Sequence, residues 1–266
     1  MKRYYFVFCK DSLLLEQQAD GTCTIPLCEE PPTEVKPWTS ILNVTPLDGI
    51  EVKAYELPLL AESPGRLLIP LRQSYYKLSE PLYLKAGQCA ELLYWNRNTR
   101  FCGVCGGTMH FHTDISKRCD MCGKEVWPQL AIAVIVLIRR GTDEILLARG
   151  RNFRSDFYGL IAGFVETGET LEEAVQREVR EETGLAIKNI RYFDSQPWPY
   201  PSGLMVGFTA DYASGELHLQ RDELQKAGWF HRDSLPNLPE KLSIARRLID
   251  DWLQFSQENK QAEIRS

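Results

Sequence analysis

Gly163-Phe-Val-Glu-Thr-Gly-Glu169-Thr-Leu-Glu-Glu-Ala-Val-Gln-Arg177-Glu178-Val-Arg-Glu181-Glu182-Thr-Gly184-Leu185 is the stretch on which the reading of this chain turns. Thr170 can cap a helix whose Glu173 reaches back to it, and Gly184 supplies a C-terminal stop, so local chemistry frames a helix from about Leu171 to Thr183. Inside that frame Leu171, Ala174, Val175 and Val179 form an apolar stripe. Glu178, Glu181 and Glu182 stand at i, i+3 and i+4, so their carboxylates converge on one side. Like charges so placed repel by roughly a few tenths of a kcal/mol per pair unless a cation neutralises them. Oxygen-only ligands of this kind suit a hard divalent ion, Mg²⁺ or Mn²⁺. The chemistry implied is displacement at phosphorus, with metal-activated water attacking a charge-neutralised pyrophosphate. The competing reading is a solvated acidic helix face.

The whole spacing decides between them. Gly163, five residues, Glu169, seven residues, then Arg177-Glu178-Val179-Arg180-Glu181-Glu182-Thr183-Gly184-Leu185 resembles the Nudix box at every defining position. That resemblance implies two or three divalent ions per site. It implies Glu178 and Glu182 as principal ligands, Glu181 as ligand or support, and the Ala162 carbonyl as a further donor. Arg177 would orient a glutamate, Glu173 or Glu181, without touching metal. The base varies among Nudix enzymes; Glu182 is the first choice and Glu223 the second. Glu223 follows an expected strand Glu216 to Leu219 and precedes Trp229-Phe230, and it is the candidate for a metal-binding carboxylate outside the box, with a solvated surface glutamate as the alternative.

Ten residues beyond the box comes Ser195-Gln196-Pro197-Trp198-Pro199-Tyr200-Pro201-Ser202-Gly203-Leu204-Met205. Alternating prolines stiffen this loop, so Trp198 and Tyr200 are presented with little entropy left to lose. Preorganised aromatics suit stacking on a base or nicotinamide ring; the alternative is a rigid loop whose Trp packs on its own domain. The stretch resembles the SQPWPFPxS signature of NADH pyrophosphatases, with Tyr200 in place of Phe and Gly203 where the signature has Ser. The resemblance implies Gln196, Pro197, Trp198, Pro199, Tyr200, Pro201 and Ser202 as substrate-binding positions, with Ser202 able to stand in for the missing Ser. Enzymes of that family split NAD(H) into nicotinamide mononucleotide and AMP, and some remove an NAD cap from RNA.

Cys102-Gly-Val-Cys105-Gly and Cys119-Asp-Met-Cys122-Gly make two CxxCG knuckles thirteen residues apart. Four thiolates so spaced can close tetrahedrally around one structural Zn²⁺. Disulfides are the competing reading, set aside for a chain expected in the cytoplasm. His110 and His112 are read as surface residues, since four thiols already complete the shell. The scattered Cys9, Cys23, Cys28 and Cys89 are read as bland or buried thiols. The resembling enzymes carry a zinc ribbon just ahead of the catalytic domain and are usually homodimers whose pockets the partner chain helps to build. By the same resemblance Trp127 and Phe164 are candidates to sandwich the nicotinamide, with plain core as the alternative, and Arg72 and Ala245 match positions of substrate contact.

The rest of the chain sets limits. The 266 residues, 44% apolar and 25% charged, have ordinary globular composition. Lys10 and Asp11 cut the first apolar run short of a secretory core, so Tyr4 to Phe8 is expected as a strand. No segment approaches the roughly 20 apolar residues of a membrane span. A net charge of −5 argues against a broad nucleic-acid surface, although Arg97, Arg100, Lys117 and Arg118 make the ribbon locally basic and able to steer an RNA end. Short apolar runs broken by turn-formers suggest a small, mostly β domain over 1–96, closing with a helix from about Pro81 to Trp95. The ribbon is assigned to 97–126 and a catalytic α/β/α sandwich to 127–266. That sandwich should hold a hairpin at Ala131 to Arg139 and Ile145 to Ala148, strands near Ile187 to Phe193 and Leu204 to Tyr212, and a last helix from Leu242 to Phe255.

The leading expectation is therefore hydrolysis of NAD(H), or of an NAD cap on RNA. The alternatives are an ADP-ribose or other dinucleotide pyrophosphatase, and a non-cleaving nucleotide sensor. Sensors tend to lose box glutamates, and here none is missing.

Overall fold

The computed structural model describes residues 1–60, 63–151, 156–220 and 222–265, with side chains described up to residue 254. The chain divides into two compact units, and the division is not contiguous. Met1–Leu130 together with Pro197–Ser202 form one, and Ala131–Gln196 with Gly203–Ser266 form the other.

The first unit begins with strands β1 (Arg3–Cys9), β2 (Ser12–Gln17), β3 (Cys23–Thr24), β4 (Leu27–Cys28), β5 (Leu42–Leu47), β6 (Ile50–Glu56) and β7 (Arg66–Pro70). They make one seven-stranded sheet in the order β3-β2-β1-β6-β5, with β4 added to β1 and β7 to β2. The β1–β6 pair is parallel, joining Tyr4 to Val52 and Phe8 to Glu56. Period-two alternation sorts the side chains. Phe6, Phe8, Leu13 and Leu15 enter one core with helix α2, while Tyr5, Val7, Leu14 and Tyr55 enter a second on the other face. A short α1 (Leu71–Ser74) precedes α2 (Glu80–Asn98), whose Pro81 lies in the first turn, where a missing N–H costs nothing. Cys89 is fully buried in that core, and burial pushes its thiol far up, as expected of a bland cysteine. The ribbon strands β8 (Met109–Thr113), β9 (Ser116–Cys119) and β10 (Glu125–Val126) form a small antiparallel sheet of their own.

The second unit is built on β11 (Ala131–Arg140), β12 (Glu144–Gly150), β13 (Ile161–Phe164), β14 (Ala186–Pro197), β15 (Gly203–Ser214) and β16 (Leu224–His231). The order is β14-β15-β11-β12-β16, with β13 added to β11. β11 runs parallel to β15 from Ala131↔Gly203 to Arg139↔Asp211. Its alternation divides two layers of helix. Val134, Val136 and Ile138 pack with Ala174, Val175 and Val179 of α3 (Leu171–Thr183), and Ile135 and Leu137 pack with Ile244, Leu248 and Trp252 of α4 (Ile244–Arg265). This is the expected α/β/α sandwich.

One expected element is absent. Glu216 to Leu219 is not a strand. Its amides close the end of α3: the His218 N–H donates to the Thr183 carbonyl at 2.8 Å, and the Gln220 N–H donates to the Glu182 carbonyl at 3.0 Å. Orphan helix carbonyls outbid a sheet ladder there. No helix among the described residues is long and apolar enough to cross a membrane.

Candidate active site and zinc site

The frame of α3 is set as its sequence implies. The Glu173 N–H donates to Thr170 Oγ1 at 3.2 Å, the Thr170 N–H donates to Glu173 Oε2 at 2.7 Å, and Gly184 closes the helix at φ 71°. Glu173 is thereby committed to the cap, and the partner of Arg177 in the loop is Glu169. Arg177 donates from Nε to Glu169 Oε2 at 3.0 Å and from Nη2 to Oε1 at 2.7 Å, a bidentate fork. Its Nη1 reaches Glu178 Oε1 at 2.8 Å and Glu181 Oε2 at 3.1 Å, and Nη2 also reaches the Phe164 carbonyl at 2.9 Å. One guanidinium thus ties the loop before the helix to two helix glutamates. Hydrogen bonding by Arg177 holds the Glu169 carboxyl below its usual range.

Glu178 lies against the backbone of Gly163 in β13, where a Cβ would fall 1.9 Å from its Cδ. Burial pushes its carboxyl up. Glu182 is only 5% exposed. Burial first, then the charges of Glu178, Glu223 and Glu181, push its carboxyl up to about 8. Among the described residues no cation or hydrogen-bond donor meets that carboxylate. A buried carboxyl facing three others is unfavourable as it stands, and fits a site that receives divalent cations. Glu223 lies just before β16, where its backbone carbonyl accepts from the Arg151 N–H at 2.8 Å; its charge acts on both Glu178 and Glu182. Ala162 sits in β13 opposite Ile135, next to Gly163. These carboxylates are spread more widely than the cysteine thiols, the one group of three or more such ligand atoms within 4.8 Å among the described residues.

The four cysteines do converge. Cys102 and Cys122 Sγ lie 3.6 Å apart, Cys105 and Cys119 Sγ 3.5 Å apart, and all four are free thiols. Tetrahedral thiolates at a Zn–S distance of about 2.3 Å would stand roughly 3.8 Å from one another. The knuckle glycines Gly106 and Gly123 take left-handed φ of 75° and 71°. Backbone amides of Val104 and Cys105 pull the Cys102 thiol down, toward the thiolate a metal needs, while the Cys122 and Cys119 thiols push Cys105 up, as expected of four crowded thiols. His110 pairs with Asp120 at 2.8 Å and His112 with Arg118 at 2.8 Å, outside the cluster.

The locally basic ribbon expected from the sequence needs correction. Lys117 is 3% exposed. Its Nζ donates to the carbonyls of Asn96 and Thr99, both at 2.9 Å, and lies 5.4 and 5.0 Å from the ring centroids of Trp95 and Phe111. It caps the end of α2 and faces no solvent. Arg97 is paired with Glu56 at 2.7 Å and Arg118 with Glu125 at 3.0 Å, so of the four residues Arg100 is the one that burial or these pairs do not account for.

The predicted substrate positions separate into groups. Trp198, Tyr200 and Arg72 come together in the first unit. Arg72 Cζ lies 5.3 Å from the Trp198 ring centroid and 5.9 Å from that of Tyr200, and the two rings meet edge-on at 5.1 Å. Ser202 Oγ donates to the Gln129 carbonyl at 3.1 Å. Pro199 is buried, and Pro197 and Pro201 are exposed. Trp127 and Phe164 are 53% and 65% exposed, so neither is core. Two positions have other work. Gln196 is buried, its Nε2 donating to the Leu242 carbonyl at 2.7 Å and its Oε1 accepting from the Ile244 N–H at 2.6 Å. Its amide anchors the start of α4. Ala245 packs in the core between the sheet and α4. Neither role leaves a signal in local sequence, because both depend on partners far away in the chain, Leu242 and Ile244 for Gln196 and the Ile135 and Leu137 strand for Ala245.

Residues 129–253 match the family model for the NUDIX domain, and residues 2–95 match that for the NADH pyrophosphatase-like rudimentary NUDIX domain. The chain belongs to the Nudix hydrolases, in the family that joins these two domains. Its relatives include the NAD-capped RNA hydrolase NudC of Deinococcus radiodurans, 44% identical over 208 residues that cover 76% of this chain and 74% of that one. The protein of the same name from Yersinia pestis is 49% identical over 179 residues, covering 67% and 68%. A solved Nudix hydrolase from Nitrosomonas europaea shares the fold at a TM-score of 0.50 and 19% identity, over 61% of this chain and 93% of that one.

Proposed function

We propose that this enzyme hydrolyses the pyrophosphate bond of NAD(H) to nicotinamide mononucleotide and AMP, and removes the NAD cap from RNA 5′ ends. The observation that carries the reading is the complete glutamate set on α3, with Glu182 buried and met by no cation among the described residues, in a chain whose relatives are named for NAD-capped RNA hydrolysis. Mg²⁺ or Mn²⁺, two or three per site, would be held by Glu178, Glu182, Glu181, Glu223 and the Ala162 carbonyl, and would supply charge neutralisation at phosphorus and an acidified water. The wide spread of these carboxylates favours several ions over one.

The protein's own groups do the following. Arg177 fixes Glu169, Glu178 and Glu181 relative to one another. Glu182, with its raised proton affinity, is the candidate to take the proton from attacking water, and Glu223 is the second candidate. Trp198 and Tyr200 with Arg72 above them offer a ring surface for the nicotinamide or adenine, and Trp127 and Phe164 are further exposed aromatics for the same use. Gln196 and Ala245, the remaining substrate positions of the reading, would meet substrate by their backbone, since their side chains are committed to α4 and the core. A single structural Zn²⁺ would be held by Cys102, Cys105, Cys119 and Cys122. The reading includes three parts, 1–96, 97–126 and 127–266, a homodimer, and a reducing cytoplasmic setting that keeps the thiols free.

Parallel rates on NADH, ADP-ribose and an NAD-capped transcript, run with Mg²⁺ or Mn²⁺ in ¹⁸O water, test it. NADH and the capped transcript should be cut in preference to ADP-ribose, with label on one mononucleotide only. Faster cleavage of ADP-ribose would replace this reading with a general dinucleotide pyrophosphatase.

A further inference from the structure

The six residues Pro197–Ser202, continuous in sequence with β14 and β15, cluster with the first unit. Their seat is helix α2. Tyr83 and Gly87 stand four residues apart on it and so share a face. The Tyr83 hydroxyl lies 3.0 Å from that of Tyr200, an interaction a phenylalanine at 200 could not make. The Tyr83 ring is buried and braced edge-on by Tyr75 at 5.3 Å. One turn further along α2, the Pro199 ring packs so closely that a Cβ on Gly87 would lie 3.0 Å from Pro199 Cγ. Glycine is a poor residue for the interior of a helix, and contact with Pro199 is the reason for it here. From α1, Arg72 covers both rings of the loop.

We propose that Tyr83 and Gly87 are positioning residues that set the pose of Trp198 and Tyr200, and through them the selectivity for a dinucleotide over ADP-ribose. This deepens the NAD(H) reading and rests on it, with the Trp198 and Tyr200 rings taking the nicotinamide, the one ring that ADP-ribose lacks. It gives the N-terminal domain a role in recognition, with α2 as the template on which the ring-binding loop is shaped. The carboxylates that handle the pyrophosphate belong to other elements, so substitutions at Tyr83 and Gly87 leave the chemistry itself untouched.

The experiment is steady-state kinetics on NADH and ADP-ribose for the wild type, Gly87→Ala, Tyr83→Phe, Tyr200→Phe and the double Tyr83→Phe/Tyr200→Phe, with thermal midpoints measured alongside. Gly87→Ala should raise KM for NADH on the order of tenfold, because small displacements of a positioning group cost rate and affinity steeply. It should leave kcat for ADP-ribose unchanged and should not lower the midpoint, since alanine is the better helix former. The two hydroxyl deletions should each raise KM for NADH, and the double variant should lose less than the sum of the singles, because the two hydroxyls share a bond. A wild type that shows no preference for NADH overturns the substrate reading. A wild type that prefers NADH, with an unchanged NADH to ADP-ribose ratio in Gly87→Ala and Tyr83→Phe, overturns the proposal alone. Equal loss on both substrates with a lowered midpoint overturns it too, by showing that the pair serves only folding.

Discussion

The carboxylate of Glu178 fills the space that a side chain at residue 163 would need: a Cβ on Gly163 would lie 1.9 Å from Glu178 Cδ and 2.0 Å from Oε1. The requirement for glycine there is one of volume, as Gly163 lies in a paired strand opposite Val134. Gly163→Ala should therefore expel the Glu178 carboxylate from its place. Turnover should fall by about a hundredfold or more, the effect of misplacing a reactive group by an ångström. Wild-type turnover in this variant, with metal saturating, would show that Glu178 works from elsewhere.

Arg177→Lys keeps the charge and loses the fork. An ammonium cannot serve Glu169 bidentately and still reach Glu178, Glu181 and the Phe164 carbonyl. The variant should lose about 10- to 100-fold in kcat or metal affinity, as removal of groups that orient metal ligands does. Its stability should drop by about 1–3 kcal/mol in urea unfolding. A full kcat with only the stability loss would confine Arg177 to folding.

Glu182 links stability and metal affinity to pH. Its carboxyl is pushed up to about 8 in the folded chain, against about 4.3 unfolded. The folded state therefore holds a proton that the unfolded state has released, and stability without divalent metal falls as pH rises from about 4.5 to about 8. Above that window the cost is fully present. Added Mg²⁺ should restore the midpoint, most at high pH, where no proton has to be displaced. Glu182→Gln should flatten the pH slope, abolish the Mg²⁺ effect and cut turnover by orders of magnitude. Midpoints across pH 5 to 9, measured without chelator so that the ribbon metal stays in place, check this. A wild-type slope retained in Glu182→Gln would assign the linkage to another group.

Zinc removal and Lys117→Met both address the ribbon. Stripping the metal, or Cys119→Ser, should lower the thermal midpoint before it alters NADH turnover, and native mass spectrometry should find one zinc per chain. Lys117→Met leaves the carbonyls of Asn96 and Thr99 without their buried donor, a cost of about 1–3 kcal/mol. Because Lys117 faces no phosphate, the salt dependence of capped-RNA cleavage should be unchanged. A shallower salt slope in the methionine variant would return Lys117 to RNA contact.

The features legible in the sequence are short-range. The Thr170–Glu173 box, the Gly184 stop, the glutamate spacing and the cysteine knuckles are set by residues within a turn or two, so pattern and structure coincide. The parallel pairing of β11 with β15 joins residues 72 positions apart at Ala131↔Gly203, and no local periodicity encodes it. The same distance hides the work of Gln196 on α4 and the burial of Lys117 under Trp95 and Phe111. The expected strand at Glu216 to Leu219 fails for a related reason: its alternation is real, but the end of α3 claims its amides. Helical spacing points Arg177 toward Glu173 or Glu181, and Glu181 does accept from it, whereas its bidentate partner, Glu169, lies in the loop before the helix.

Arg177 carries five N–H groups, and five acceptors meet them: both oxygens of Glu169, one each of Glu178 and Glu181, and the Phe164 carbonyl. The guanidinium is saturated by the protein and has nothing left to offer a phosphoryl oxygen. The negative charge gathering at phosphorus during cleavage then falls to cations drawn from solution. On the function proposed above, the rate of such an enzyme follows the supply of free divalent ion around it, and its arginine serves as masonry for that dependence.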